Sequence, residues 1–115
     1  MNDFCVEFYL ADSEYMTAVR LAVGAVCALA ETDIDGAEDM KVCVTESCLI
    51  LKGCGFERVK VYLGCSDGVT AEIQGVGGEI KESDNEFSLA LISALVSSCT
   101  LERANGGINK IILKL

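Results

Sequence analysis

The sequence predicts an α+β domain, a two-layer α/β sandwich in which helices pack against a mostly antiparallel sheet. Two observations lead to this prediction. Some segments have the 3.6-residue apolar period of a helix, and others alternate apolar and polar residues as a strand does. Along the chain they follow the order β-α-α-β-β-α-β. The chain has 115 residues, of which 51% are hydrophobic, enough for one core but not for two, so residues 1–115 are assigned to a single domain.

The first half of the chain predicts one strand and two helices. Residues 3–10 alternate, which is typical of a half-buried strand. Asp12 or Ser13 then caps a helix that runs to about Glu31. A turn at residues 33–36 leads into a second helix over residues 37–55, where Gly53 and Gly55 suit the end of a helix.

The second half of the chain predicts strands over residues 58–65, 69–74 and 108–115 and a helix over residues 86–99. Ser66-Asp67-Gly68 joins the first two strands and indicates a hairpin. Ser83 and Glu86 have the spacing of a capping box at the start of the third helix. A glycine-rich turn lies before this helix, and Gly106-Gly107 precedes the last strand.

The charge of the chain excludes one class of partner. Nine basic and 18 acidic residues give a formal net charge of -9, which repels phosphate backbones, so we expect no direct contact with nucleic acid. The sequence contains neither an apolar run near 20 residues nor the pattern of a secretory signal. We therefore expect a cytoplasmic protein without a membrane span.

The seven cysteines do not form a metal-binding pattern. Their number is odd, the chain has no histidine, and no Cys-x-x-Cys occurs, so neither a zinc site nor a disulfide framework is expected. Four cysteines fall at helical core spacings and are predicted to be small buried hydrophobic residues: Cys27, Cys43, Cys48 and Cys99. The absence of histidine also excludes a histidine-based triad and an imidazole base.

The second helix carries one acidic residue, Glu46, within an apolar segment. At 100° per residue, the helix is expected to expose a narrow stripe made of Glu38, Lys41, Thr45 and Lys52. The opposite side is expected to face the core with Met40, Cys43, Val44, Ser47, Cys48 and Leu51. Glu46 lies on the flank and is expected to be partly desolvated. It is either a general base for a hydroxyl nucleophile, or an acid that is bonded to Thr45, Ser47 or a nearby backbone amide or that simply points outward.

Residues 39–48 follow the pattern Asp-x-Lys-Val-x-Val-x-Glu-Ser-Cys, which resembles the nucleotide-site helix of the anti-sigma factor/serine-protein kinase family. This family is a branch of the GHKL, or histidine kinase-like, ATPases. The resemblance extends over nearly the whole chain through the Val-Arg-Leu of the first helix, the hairpin, the glycine-rich turn and the terminal strand. It implies the small form of the Bergerat fold.

The same resemblance implies three nucleotide motifs, and the chain departs from each of them. Ile50 stands where the family has a magnesium-binding asparagine. Gly75-Val76-Gly77 matches the Asp-x-Gly-x-Gly turn that reads adenine, so Gly75 and Gly77 are its remnant without the acid. Glu86-Phe87-Ser88 replaces the Gly-x-Gly that would bind phosphate. We expect no cofactor and no metal, and no enzymatic activity.

The resemblance then implies a regulatory protein-interaction module, a degenerate anti-sigma factor whose partner is a sigma factor or an anti-anti-sigma-type switch protein. Arg20 is the candidate partner contact, although it could also be a solvated helix residue paired with Glu14 or Asp12. A homodimer through the first helix region is a further expectation. One alternative is an active, Mg-ATP-dependent serine-protein kinase in which Glu46 is the base; another is a structural partner of a catalytically complete paralogue.

Overall fold

Eight elements follow one another along residues 4–115, the part of the chain that this computed structural model describes. In chain order they are β1 (Phe4–Tyr9), α1 (Glu14–Leu29), α2 (Ile34–Gly53), β2 (Arg58–Gly64), β3 (Thr70–Val76), α3 (Glu86–Leu95), β4 (Ser98–Ala104) and β5 (Gly107–Lys114). They form a compact α+β domain with a five-stranded antiparallel sheet and three helices, which confirms the predicted class. The predicted start of the first strand, Asp3, lies outside the described residues.

The sheet has the strand order β1-β2-β3-β5-β4, and every neighbouring pair is antiparallel. Alternate residues point to a fully buried face, which carries Val59, Val61, Leu63, Ala71, Ile73, Ile111 and Leu113. α1 contacts β1 and β2, α2 contacts β2, β3 and β5, and α3 contacts β4 and α2. The apolar core therefore lies between this face and the helices. Of the helices in residues 4–115, none has both the length and the apolar character of a membrane span.

The predicted third helix is too long, because its last part is a strand. α3 ends at Leu95, the backbone of Val96 is extended, and Ser98–Ala104 pairs with β5 as the edge strand β4. Asn105 and Gly106 have φ values of 50° and 83° and join β4 to β5 in a tight hairpin. Cys99 accordingly lies half-buried on β4 and not on a helix. The observed order is β-α-α-β-β-α-β-β.

The helix termini differ from the prediction in detail. Asp33 is the N-cap of α2, where its Oδ1 accepts the Gly36 N–H at 2.7 Å, so the predicted turn at residues 33–36 belongs to the cap and first turn of the helix. The predicted capping box of Ser83 does not form, because Asn85 is the N-cap and Asp84 accepts the Glu86 N–H at 3.2 Å. The end of α2 is as predicted: the helix stops at Gly53, and Gly55 has a φ of 97°.

Three of the four cysteines predicted to be buried are buried, namely Cys27, Cys43 and Cys48. Burial raises the pKa of the Cys43 thiol to about 11, with smaller contributions from Asp39, Cys99 and Glu46. Burial also raises the pKa of the Cys48 thiol to about 12. Both thiols therefore stay protonated at neutral pH, and they pack as small hydrophobic groups.

Candidate functional site

The core side of α2 is buried as predicted, but its solvent side differs at Thr45. Only 7% of Thr45 is exposed, because Arg20 of α1 reaches across it. Arg20 Nε donates to Thr45 Oγ1 at 3.1 Å, and the threonine hydroxyl in turn donates to the carbonyl oxygen of Lys41 at 2.9 Å. The prediction that Thr45 faces solvent is therefore wrong, because the apolar period of one helix does not show where a neighbouring helix packs.

Glu46 is half-buried and has a partner from another helix. Ser88 Oγ of α3 donates to Glu46 Oε1 at 3.3 Å. The two neighbours predicted as partners are engaged elsewhere: Thr45 bonds the Lys41 carbonyl, and Ser47 Oγ donates to the carbonyl oxygen of Cys43 at 2.7 Å. A residue 42 positions away along the chain therefore positions the carboxylate, and no local pattern indicated this contact.

Arg20 and Glu46, predicted separately, lie in the same groove between α1 and α2. This groove, called here the Arg20 groove, has a volume of about 290 Å³ and is lined by Arg20, Glu38, Lys41, Val42, Thr45 and Glu46. Lys41 Nζ lies 3.0 Å from Glu38 Oε1, whereas Arg20 forms no ion pair within residues 4–115. The alternative pairing of Arg20 with Glu14 or Asp12 is therefore not formed, and the groove presents a fixed guanidinium to solvent.

Gly75 and Gly77 lie away from this groove, at the end of β3. A Cβ atom on Gly75 would overlap the ring of Phe56, which packs directly on the glycine. Gly77 has a φ of 75°, and the backbone of Gly78 packs closely on that of Gly55. The glycines thus allow the loop after β3 to lie against the loop after α2. The space above Gly75 is filled by the protein itself.

A neighbouring cavity of about 450 Å³ contains a residue that the sequence analysis missed. Its lining includes Phe56, Gly77, Asn105 and Asn109. Asn109 Oδ1 is buried and has no hydrogen-bond partner among residues 4–115. The pairing of β4 with β5 shifts register beside Asn109, between Glu102 and Arg103, and a bulge of this kind has no signature in the sequence.

The start of α3 borders a third space, which is acidic. This cavity of about 690 Å³, called here the acidic cavity, is lined by Glu82, Ser83, Asp84, Asn85, Glu86, Leu89, Arg103 and Ile108. Three carboxylates therefore face one guanidinium. The positive end of the helix dipole already has Asp84 and Glu86 beside it, so the protein's own acids occupy the position that an anion would take.

The position of the family's magnesium ligand is part of the core. Ile50 is 2% exposed, so the side of α2 that carries it packs in the apolar interior and is not available to a hydrated metal ion. No cluster of three or more metal-ligating side chains of the His, Cys, Asp or Glu type occurs within residues 4–115. Comparisons of the chain with known protein families and with curated proteins found no match.

Proposed function

We propose that this chain is a regulatory protein-interaction module of the anti-sigma factor type, with a two-layer Bergerat-like fold and a nucleotide site that no longer binds Mg-ATP. The observation that carries the proposal is the acidic cavity at the start of α3. In the resembling family this helix terminus would bind phosphate, but here Glu82, Asp84 and Glu86 line it. A triphosphate would meet like charges in a site that offers one arginine.

Two further contacts support the loss of the nucleotide. Phe56 fills the space above Gly75, where the resemblance places the adenine-reading turn. The loop that follows is short and fixed, since the N–H of Lys81 donates to the carbonyl oxygen of Cys54 at 2.8 Å. A base would have to displace a packed aromatic ring, and a lid would have to break this hydrogen bond.

The Arg20 groove supports the interaction function. Arginine is enriched among the residues that contribute most to protein interfaces, and its planar guanidinium binds carboxylates through paired hydrogen bonds. The bond to Thr45 fixes Arg20 in the free protein, which lowers the entropy cost of binding. The lining of the groove is balanced in charge, since Arg20 and Lys41 lie with Glu38 and Glu46, but Lys41 is paired with Glu38. The Arg20 guanidinium is therefore the cation of this groove that a partner's carboxylate can bind. We propose that it binds an acidic residue of a sigma factor or of an anti-anti-sigma-type protein.

The competing function is an active serine-protein kinase, and one observation favours it. Glu46 is half-buried and lines an open groove, the environment of a general base. Its carboxylate nevertheless accepts a hydrogen bond from Ser88 of the same chain, and a kinase would also require bound Mg-ATP. We therefore assign Glu46 to the lining of the groove.

Affinity purification of the chain from its source cell, with Arg20→Ala and Lys52→Ala variants, tests this proposal. Lys52 is an exposed cation in the last turn of α2, outside the groove, and serves as the matched control. We expect the unaltered chain and the Lys52 variant to retain a sigma or switch protein, and the Arg20 variant to lose it. Recovery of only a catalytically complete paralogue, or equal recovery with all three chains, would contradict the proposal.

A further inference from the structure

The two edges of the sheet differ in how well they are protected against a further strand. The exposed residues of β4 are mostly polar and include Glu102 and Arg103. The pairing of β4 with β5 shifts register between these two residues. Such bulges and charges protect an edge from pairing. β1 pairs with β2 in an unbroken register from Phe4 to Tyr9, and no other strand within residues 4–115 lies on its other side. β1 is therefore the edge that is open to strand addition.

In an antiparallel sheet the backbone groups of successive residues point to opposite sides of the strand, and this determines which groups of β1 face the open edge. The Leu10 N–H donates to the carbonyl oxygen of Glu57 at 2.8 Å, so this amide points toward the β2 side. Alternate residues point the other way, which turns the N–H and C=O groups of Cys5, Glu7 and Tyr9 to the open side. Three alternate residues of an added strand could bond to them.

A groove lies along this edge between β1 and α1. It has a volume of about 320 Å³, and its apolar lining includes Val6, Phe8, Tyr15, Ala18 and Val19. The rings of Phe8 and Tyr15 are 6.1 Å apart and tilted by 58°, so they form a continuous aromatic wall. An added strand could place every second side chain in this groove, here called the strand-edge groove.

The charges around the strand-edge groove specify its occupant. Glu7 is already paired with Arg58, whose Nη1 lies 2.9 Å from Glu7 Oε2. Where β1 leads into α1, Asp12 and Glu14 are exposed, and neither forms an ion pair within residues 4–115. Neither residue lines the groove, but both lie in the segment that follows β1 and begins α1, so the surface next to that end of the groove is acidic.

We propose that the strand-edge groove accepts an extended segment of a partner protein as a sixth strand, antiparallel to β1, with alternate apolar residues and a basic residue at its N-terminal end. In this orientation the N-terminal end of the added segment lies beside Asp12 and Glu14. A second copy of this chain fits less well, because each copy has a net charge of -9 and β1 carries an acid but no cation. This inference concerns a surface separate from the Arg20 groove.

A synthetic peptide, Lys-Val-Thr-Val-Thr-Val-Thr with both ends blocked, is the first probe, and its binding to the full chain is measured from amide chemical shifts. We expect the shifts to cluster on β1 and α1. Replacing the peptide's lysine by glutamate should weaken binding about fivefold, since one attraction becomes a repulsion. Moving the lysine to the last position should weaken binding similarly, and tighter binding in that form would overturn the proposed direction.

Two pairs of variants test the site itself. Glu7→Pro removes an open-edge N–H, whereas Glu7→Ala removes only the ion pair with Arg58, so the proline variant should bind at least about tenfold more weakly than the alanine variant. Glu14→Lys should weaken binding of the lysine peptide, and Glu31→Lys, the same charge change just past the other end of α1, should not. Equal binding within both pairs, or no binding of any peptide at millimolar concentration, would overturn the proposal. A peptide-free dimer that Glu7→Pro dissociates would also overturn it and identify a second copy as the occupant.

Discussion

The two sides of α2 differ in what holds their residues in place. The buried side, with Cys43, Cys48 and Ile50, is fixed by packing against the sheet and the other helices. Its polar groups are protonated thiols and the Ser47 hydroxyl, which donates to a carbonyl of its own helix. The groove side, with Thr45 and Glu46, is fixed by hydrogen bonds from Arg20 and Ser88. The difference shows that position 50, where the resembling family coordinates metal, serves stability here, while the polar chemistry of the helix lies in the Arg20 groove.

The largest expected effect comes from restoring the family's asparagine on the buried side. Ile50→Asn places an amide without partners in the core and removes apolar contacts, so we expect it to lower the free energy of unfolding by about 3 kcal/mol or more. Ile50→Val, the control, should cost about 1 kcal/mol. Denaturant unfolding measures both. An asparagine variant as stable as the valine variant would show that position 50 faces a polar site.

The thiols of the buried side predict a dependence of stability on pH. Folding raises the pKa of Cys43 from 9.0 to about 11 and that of Cys48 to about 12, so both thiols stay neutral in the folded chain while those of the unfolded chain ionise. The stabilisation is complete below pH 9 and is lost as pH rises toward the folded values, at about 1.4 kcal/mol per pH unit for each thiol. Unfolding curves between pH 7 and 11 measure this slope. Cys48→Ala should reduce the slope, and Cys5→Ser, at an exposed position, should not.

A smaller effect is expected on the groove side. Thr45→Val removes the acceptor for Arg20 Nε and the donor to the Lys41 carbonyl, which should cost about 1 kcal/mol. Thr17→Val, at an exposed position on α1, should change the free energy of unfolding by less than about 0.5 kcal/mol. The same unfolding assay compares the two. If Thr45→Val has no larger effect than Thr17→Val, Arg20 is not held by this bond in solution.

The smallest effect is expected at Glu46. Glu46→Gln keeps an oxygen that can accept the Ser88 hydroxyl, so we expect a change in stability within about 0.5 kcal/mol. Ser88→Ala provides the matched removal of the donor. A stabilisation of more than about 1 kcal/mol in Glu46→Gln would be the pattern of a strained catalytic acid and would favour the kinase alternative.

Sequence patterns predicted an element correctly where the apolar period of its segment matches the burial of its residues. Periodicity and turn residues predicted the core side of α2, the hairpin between β2 and β3, and the end of α2 at Gly53 with a left-handed Gly55 after it. β4 was missed, although Asn105-Gly106 is a strong hairpin sequence, because the preceding apolar residues also fit a helical continuation. The prediction uses Gly106 and Gly107 only as a break before the last strand.

The sequence predicted two residues of the candidate site but not the contacts that these residues make. Arg20 and Glu46 were both selected, yet their common groove depends on how α1 crosses α2, which no short-range pattern contains. The bond from Ser88 to Glu46 and the packing of Phe56 on Gly75 join residues far apart in the chain. Such contacts are properties of tertiary packing, and one sequence alone does not specify them.

Thermal unfolding of the purified chain in increasing Mg-ATP and Mg-ADP tests the central claim, the loss of the nucleotide site, most directly. A ligand that binds the folded state at 100 times its dissociation constant adds about 2.7 kcal/mol of stability, which would raise the Tm of a domain of this size by about 10 °C. We predict an unchanged Tm up to millimolar nucleotide. A rise in Tm that depends on both nucleotide and magnesium would contradict the claim.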